Sequence, residues 1–407
     1  MANIKLETVP QNKSTWLACT TKYGISNPTT ASIHDYDIPM TSGSKVGDIQ
    51  FLLLRVIWKP IKSPFSRNDY ISGEIVPEEY LSTARSLLAE NGPWNAYLKW
   101  IKERPNDIPE GAAVSEMGQF GMALQSQQYT HRIIDSHSDN SKVDFSPIVT
   151  RSRARALQSS QPLRPQTPAT PTPRHFDQAG LAGSMDYMDI DEEELEEIYS
   201  SPMSSIEQNS PMTGEAARQE GKIKNEQEVV FSLVLFQRAV CNPFKQVAGV
   251  TWHPDQDGYI AKNKNGEKTF SAFVDAVMRV KGSTRTPVFD ETKRGFRFET
   301  PGGAPIKAQE SCQMAAKIAQ QPPENLQEMR DKNLTAREVW VSQDKDEVYI
   351  GVGTYNADYV DYISHRPAKF NLAEVQEYGP YVYNNCKSVS ELGVILLAIA
   401  LEQADAK

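Results

Sequence analysis

Thr269-Phe270-Ser271-Ala272-Phe273-Val274-Asp275-Ala276-Val277-Met278-Arg279, and beyond it Val288-Phe289-Asp290-Glu291-Thr292-Lys293, are the stretches whose reading decides the fold of this chain. The first alternates with period two. Phe270, Ala272, Val274, Ala276 and Met278 fall on one face of a strand, and Thr269, Ser271, Phe273, Asp275, Val277 and Arg279 on the other. Asp275 is therefore expected away from the fully apolar face. In the second stretch Glu291 and Lys293 share a face, about 7 Å apart along the strand. If the strands are neighbours, Asp275 and Glu291 converge on one cation. Mg²⁺ takes one or two carboxylates and completes its octahedron with water and phosphate oxygens. Such an ion acidifies a bound water, and a lysine beside it holds that water or stabilises developing charge. The plainer alternative is a β-hairpin with solvated charges, Asp290, Glu291, Lys293 and Arg294, at its end.

Working outward, Asn265-Gly266 is a turn signal between Tyr259-Ile260-Ala261 and the first stretch. A helix over 226–240 is apolar almost all round (Val229, Val230, Phe231, Leu233, Val234, Leu235, Phe236) and should be buried. Further helices are expected near 306–320 and 324–332, and strands at 337–342 and 347–355. Ser388-Val389-Ser390-Glu391 has capping-box spacing and opens a final apolar helix. Helix, strands, helices, strands, helix implies an α/β or α+β domain with a mixed sheet over 223–407.

The first block, 1–145, reads as partly globular. Residues 51–58 form an apolar run expected as a buried strand. Pro77 opens a helix with Tyr80, Leu81, Ala84, Leu87 and Leu88 on one side, which Asn91-Gly92 ends as a left-handed cap. Trp94, Tyr97, Leu98 and Ile101 then mark a second helix, stopped by Pro105. No catalytic constellation stands out in this block. Residues 146–222 are rich in Ser, Thr, Pro and Gln and carry an acidic run over 189–197, so they cannot offset the entropy of ordering and are expected as a disordered linker. Its Arg151, Arg153, Arg155, Arg164 and Arg174 suit a nucleic-acid-binding arm or nuclear address, or simply a solvated linker.

The chain has 407 residues, enough for two or three domains, and a formal net charge of −9. That balance excludes a generally basic surface, so any nucleic-acid partner needs a local groove. Cys19, Cys241, Cys312 and Cys386 are far apart, which argues against zinc or a disulfide framework and for a reduced compartment. No signal-peptide pattern follows Met1, and the longest apolar stretch, 392–401, falls short of the roughly 20 residues a bilayer requires. An intracellular, soluble protein is expected, without a small-molecule cofactor.

The order Asp…Glu-x-Lys is the working set of a large class of metal-dependent nucleases, and the block over 225–402 resembles a family of fungal proteins with a PD-(D/E)XK nuclease-like domain. The resemblance rests on Asn225-Glu226-Gln227, Phe270 to Asp275, Glu310-Ser311-Cys312-Gln313-Met314-Ala315-Ala316 and Gln321-Pro322-Pro323-Glu324-Asn325-Leu326. It continues through Val341-Ser342-Gln343-Asp344, residues 355–363 and Glu377-Tyr378-Gly379-Pro380. It implies a restriction-endonuclease-like core with helices flanking a mixed sheet. It also implies Asp275, Glu291 and the carbonyl of Thr292 as ligands for Mg²⁺ or Mn²⁺, Lys293 as the catalytic lysine, and Glu226 and Gln313 as supporting residues. On their own residues, Glu226 reads equally as a helix-start acid and Gln313 as a surface or capping polar group. The chain departs from the family pattern at Asp290, Thr292 and Arg294, which flank Glu291 and Lys293, and at Ser271, Phe273 and Ala276. Asp290 would add a ligand or crowd the site. A nuclease and a nuclease-like interaction module that has lost turnover are thus the two expectations.

Overall fold

The computed structural model describes residues 6, 8–35, 42–63, 72–133, 214–299 and 303–406. The N-terminal five residues, and the basic arm and acidic run of the expected linker, lie outside them. Met1–Asp144 and Ala217–Lys407 belong to one compact unit. Its N-terminal part contains helices α1 (Lys13–Lys22), α2 (Asp48–Leu53), α3 (Ser72–Ile75), α4 (Glu78–Ala89), α5 (Gly92–Glu103), α6 (Ala112–Met117) and α7 (Gln119–Ile133), with one strand, β1 (Val56–Trp58). Then follow α8 (Gly214–Cys241), β2 (Val250–His253), β3 (Asp257–Lys262), β4 (Lys268–Val274), β5 (Ala276–Val280) and β6 (Val288–Lys293). The chain ends with α9 (Ala304–Gln320), α10 (Leu326–Lys332), β7 (Thr335–Asp344), β8 (Glu347–Asn356), α11 (Ala357–Ile363), β9 (Ala373–Val382) and α12 (Cys386–Asp405).

Seven strands form one mixed sheet in the order β1-β9-β8-β7-β6-β5-β2, and β3 and β4 pair apart from it. β6 runs antiparallel to β5 and parallel to β7, with α9 and α10 making the crossover that a parallel pair requires. Helices flank the sheet as expected. One core joins α4, α5, α7, α8 and α12 to Ala276, Met278, Val288 and Val341. The other joins α1, α2, β1, α9 and α11 to Val277, Phe289 and Trp340. Neighbouring residues on β5, β6 and β7 thus enter opposite cores, as a pleated strand covered on both faces demands.

The N-terminal block is built into this body. β1 pairs in parallel with β9, Trp58 Nε1 donates to Ser311 Oγ on α9 at 3.0 Å, and Trp16 Nε1 donates to the Leu52 carbonyl at 2.9 Å. The apolar run expected as one strand is divided. Phe51–Leu53 are helical, because Gln50 caps the turn through Gly47 N at 2.6 Å, and Arg55 at φ 55 breaks the run before β1. A continuous apolar run does not distinguish a buried helix from a buried strand. Asn91 is not a left-handed cap of α4 (φ −85). It caps the start of α5, its Oδ1 accepting from Trp94 N at 2.9 Å. The final helix begins earlier than the Ser388 spacing implied, with Asn385 Oδ1 accepting from Ser388 N at 3.1 Å.

Three more corrections concern the strand and the helix that lead to the site. The strand expected over 269–279 is broken at Asp275, and its alternation changes phase there. Phe270, Ala272 and Val274 share a core with Val277, while Ala276 and Met278 enter the opposite one. The helix expected over 226–240 begins at Gly214, so the last residues assigned to the linker are helical. Helix extension from a formed segment costs far less than nucleation, and 215–224 contain good helix formers. Phe231 on this helix is 52% exposed, against the expectation that the apolar face is buried all round.

Candidate active site

The site lies where β6 ends. Asp275 stands at the break between β4 and β5, its backbone N–H donating to the Asp290 carbonyl at 3.0 Å. Its Oδ2 accepts from Thr292 N at 2.8 Å and from Thr292 Oγ1 at 2.9 Å. Glu291 and Lys293, one pleat apart, lie side by side on the α9 face of β6, and the ammonium of Lys293 donates to Glu291 Oε1. Helix α9 supplies two amides one turn apart. Gln309 Nε2 donates to Glu291 Oε1 at 2.6 Å, and Gln313 Nε2 donates to Glu291 Oε2 and, at 2.7 Å, to the Phe273 carbonyl. From α8, Glu226 Oε1 comes within 3.7 Å of Lys293 Nζ. The carbonyl of Thr292 accepts from the same ammonium at 2.9 Å.

Glu291 is 1% exposed, and burial pushes its carboxyl well above the usual range, with Lys293 opposing and Asp275 reinforcing the shift. Burial also raises Glu226, again with Lys293 opposing and Asp275 adding. Burial works against the charge on Lys293, but Glu291, Glu226 and Asp275 outweigh it and hold the ammonium above its ordinary range. Three acids thus act on one buried ammonium, and they outnumber it.

All six residues expected at the site, Glu226, Asp275, Glu291, Thr292, Lys293 and Gln313, are brought to this strand end. Asp290 is not. It is turned to the opposite face, where its Oδ1 accepts from Gln237 Nε2 on α8 at 3.0 Å. It neither extends the donor set nor shares the Glu291 face, because successive strand residues point to opposite sides. Gln309 was not anticipated, although its place one turn before Gln313 on the same helix face would have indicated it.

Hard oxygen donors and a surplus of acid are what Mg²⁺ or Mn²⁺ binds. The donor chemistry fits, but the cage is not assembled. Both Glu291 oxygens, Asp275 Oδ2 and the Thr292 carbonyl are committed to protein donors. Among the described residues, no three His, Cys, Asp or Glu side chains form a group that could hold a metal ion.

Beyond Lys293 the chain enters a second polar centre that sequence reasoning missed. Arg297 is 1% exposed. Its Nε donates to Asp344 Oδ2 at 2.6 Å, its Nη1 to Glu377, and its Nη2 to Glu310 Oε1 at 3.2 Å and Ser342 Oγ at 2.7 Å. The guanidinium lies 3.9 Å from the Tyr349 ring centroid. Asp344 pairs in register with Lys293 across β6 and β7, and Lys345 N donates to the Lys293 carbonyl at 2.8 Å. This knot anchors the loop that leaves the site. No helix among the described residues is long and apolar enough to cross a membrane. Comparison with family models, curated proteins and solved structures finds no match for the chain.

Proposed function

We propose that the chain is a metal-dependent phosphodiesterase acting on DNA or RNA, with a restriction-endonuclease-like core. The observation that carries this reading is the convergence of Asp275, Glu291 and Lys293 at one end of an antiparallel strand pair, with Gln313 from the following helix and Glu226 from the preceding one. The crossover from β6 through α9 to a parallel β7 supports the fold assignment. Asp275, Glu291 and the Thr292 carbonyl would hold Mg²⁺ or Mn²⁺. When bound, that ion supplies an acidified water and neutralises phosphate charge. Gln309 and Gln313 orient Glu291. Lys293 remains protonated, so it serves as a donor to the attacking water or the developing phosphorane charge rather than as a base. Glu226 holds the ammonium between itself and Glu291.

A second reading, a nuclease fold retained for nucleic-acid or protein binding without turnover, is favoured by the burial of Glu291 and the full commitment of its oxygens. One set of measurements separates the two. The full-length chain is titrated with Mg²⁺ and Mn²⁺ by calorimetry, then incubated with single- and double-stranded DNA and RNA. Metal binding that weakens in Asp275→Asn, with cleavage falling at least about 10²-fold in Lys293→Ala, is expected. Equal background cleavage by wild type and Lys293→Ala refutes the enzyme. Metal-independent retention of nucleic acid, unchanged in Asp275→Asn, establishes the binding module instead.

A further inference from the structure

Residues 34 and 35 of the N-terminal block are fastened by two imidazoles. His34 and His365 stack with ring centroids 4.5 Å apart and planes within 4° of parallel. Their four ring nitrogens all have partners. His34 Nε2 lies 3.0 Å from the Ile363 carbonyl and Nδ1 lies 2.8 Å from Thr269 Oγ1. A carbonyl accepts only, so Nε2 carries the proton and Nδ1 accepts from the hydroxyl. For His365 the order is fixed from the other side. Lys264 N donates to Nδ1 at 3.2 Å, which leaves Nε2–H facing Asp35 Oδ1 at 3.4 Å. The pair therefore ties residues 34 and 35 to the β3–β4 hairpin, through Lys264 and Thr269, and to the end of α11, through Ile363 and His365.

We propose that this pair is an acid-released clasp, which holds residues 34 and 35 on the body only while His34 is neutral. One feature of the geometry requires it. A charge on His34 would lie stacked against its neighbour ring with no carboxylate on its own nitrogens. Burial is the larger influence on His34 and His365 the next, and together they pull it down to about 4 from 6.5, although the hydrogen bond to the Ile363 carbonyl and then Asp35 act the other way. Lys264, whose main chain makes the contact, and Arg366, which is paired with Asp361 at 3.9 Å, adjoin the pair along the chain. Neither offers His34 a counter-charge. The segment itself is seated by Ile25 and Ile33, both buried, by Ile33 N donating to Tyr362 Oη at 3.3 Å, and by Arg55 Nη2 donating to the Thr29 and Ala31 carbonyls at 2.8 and 3.0 Å.

The sign follows from the lowered value. A histidine whose folded pKa lies below its unfolded one favours the closed state at high pH and loses that contribution as pH falls. The local opening equilibrium should therefore rise by up to about tenfold per pH unit between 6.5 and about 4. The test uses the full chain with histidine-labelled NMR titration and hydrogen exchange at the Ile33 amide, read against the Leu397 amide in α12. Expected are a His34 titration well below that of a free imidazole and a selective acid-dependent loss of protection at Ile33. His34→Gln, which can donate to Ile363 and accept from Thr269 but cannot titrate, should make that protection independent of pH over the same range. An ordinary His34 titration, or the same acid response at Ile33 in His34→Gln, overturns the proposal. If His34→Gln does not fold, His365→Gln decides. It removes the stacked neighbour and should move the His34 titration upward, and an unmoved titration refutes the clasp.

Discussion

Replacing Arg297 by Met should destabilise this protein as severely as any single change in it. The guanidinium is 1% exposed and donates to Asp344, Glu377, Glu310 and Ser342, while its backbone N–H also donates to Asp344 Oδ2 at 3.1 Å. Removing one partner of a buried ion pair costs roughly 3–5 kcal/mol, because the other charge stays buried without compensation. Here one cation bonds three buried acids, with Lys307 3.5 Å from Glu377 and Lys293 acting on Asp344 from nearby. The upper end, about 5 kcal/mol, is the expected loss, comparable with the whole stability of a marginal domain. Urea unfolding followed by tryptophan fluorescence measures it. The cause can be isolated. Arg297→Met combined with Glu310→Gln, Asp344→Asn and Glu377→Gln removes the charges together and should recover most of the loss, since a buried polar cluster replaced as a set is often neutral. The pH dependence has a definite sign. Burial pushes Asp344 up to about 6 from 3.8 even with Arg297 opposing. A carboxyl raised in the folded state contributes stability at low pH and loses it as pH rises through the folded value. The single variant should therefore lie closest to wild type near pH 4–5 and fall away towards neutrality. A loss below about 1 kcal/mol, or a fourfold variant no better than the single one, would refute the reasoning.

Two further outcomes follow from the packing. A Cβ at Gly351 would stand 2.1 Å from Trp340 Cε2, so Gly351→Ala should cost about 1–3 kcal/mol or more by overpacking, measurable as a lowered urea midpoint with an unchanged slope. A fragment comprising 217–407 alone would leave the β9 edge unpaired and uncover the faces that β1, Trp16, Phe51 and Trp58 seal, so it should aggregate or lack a cooperative transition. A monomeric fragment with a sharp two-state transition would show that the N-terminal block is dispensable.

Much of the C-terminal block is legible in the sequence because its patterns are strong and local. The turn at Asn265-Gly266, strands β6, β7 and β8, and helices α9, α10 and α12 follow from periodicity and turn residues. Strand β9 is not readable in that way. It buries the charged Glu377 among apolar neighbours and contains Gly379-Pro380, and both contradict strand patterning until Arg297 is seen opposite. The partnership of β1 with β9 joins positions more than three hundred residues apart, and a three-residue apolar segment carries no mark of its partner. The Arg297 knot escapes for the same reason. Its members come from a loop, α9, β7 and β9, and separately each looks like an ordinary surface charge.

Asp275 shows the opposite case, in which a strong local pattern misleads. Had the alternation continued through 279, Ala276 and Met278 would have entered the core of Phe270 and Val274, and one long strand would have served both sheets. The break at Asp275 lets β4 pair with β3 and β5 with β6, and reverses which residues each core receives. It also leaves the carboxylate at a strand end, where both the backbone and the hydroxyl of Thr292 can fix one oxygen. A regular strand would have been easier to fold, but it would not have placed an acid beside the pair formed by Glu291 and Lys293.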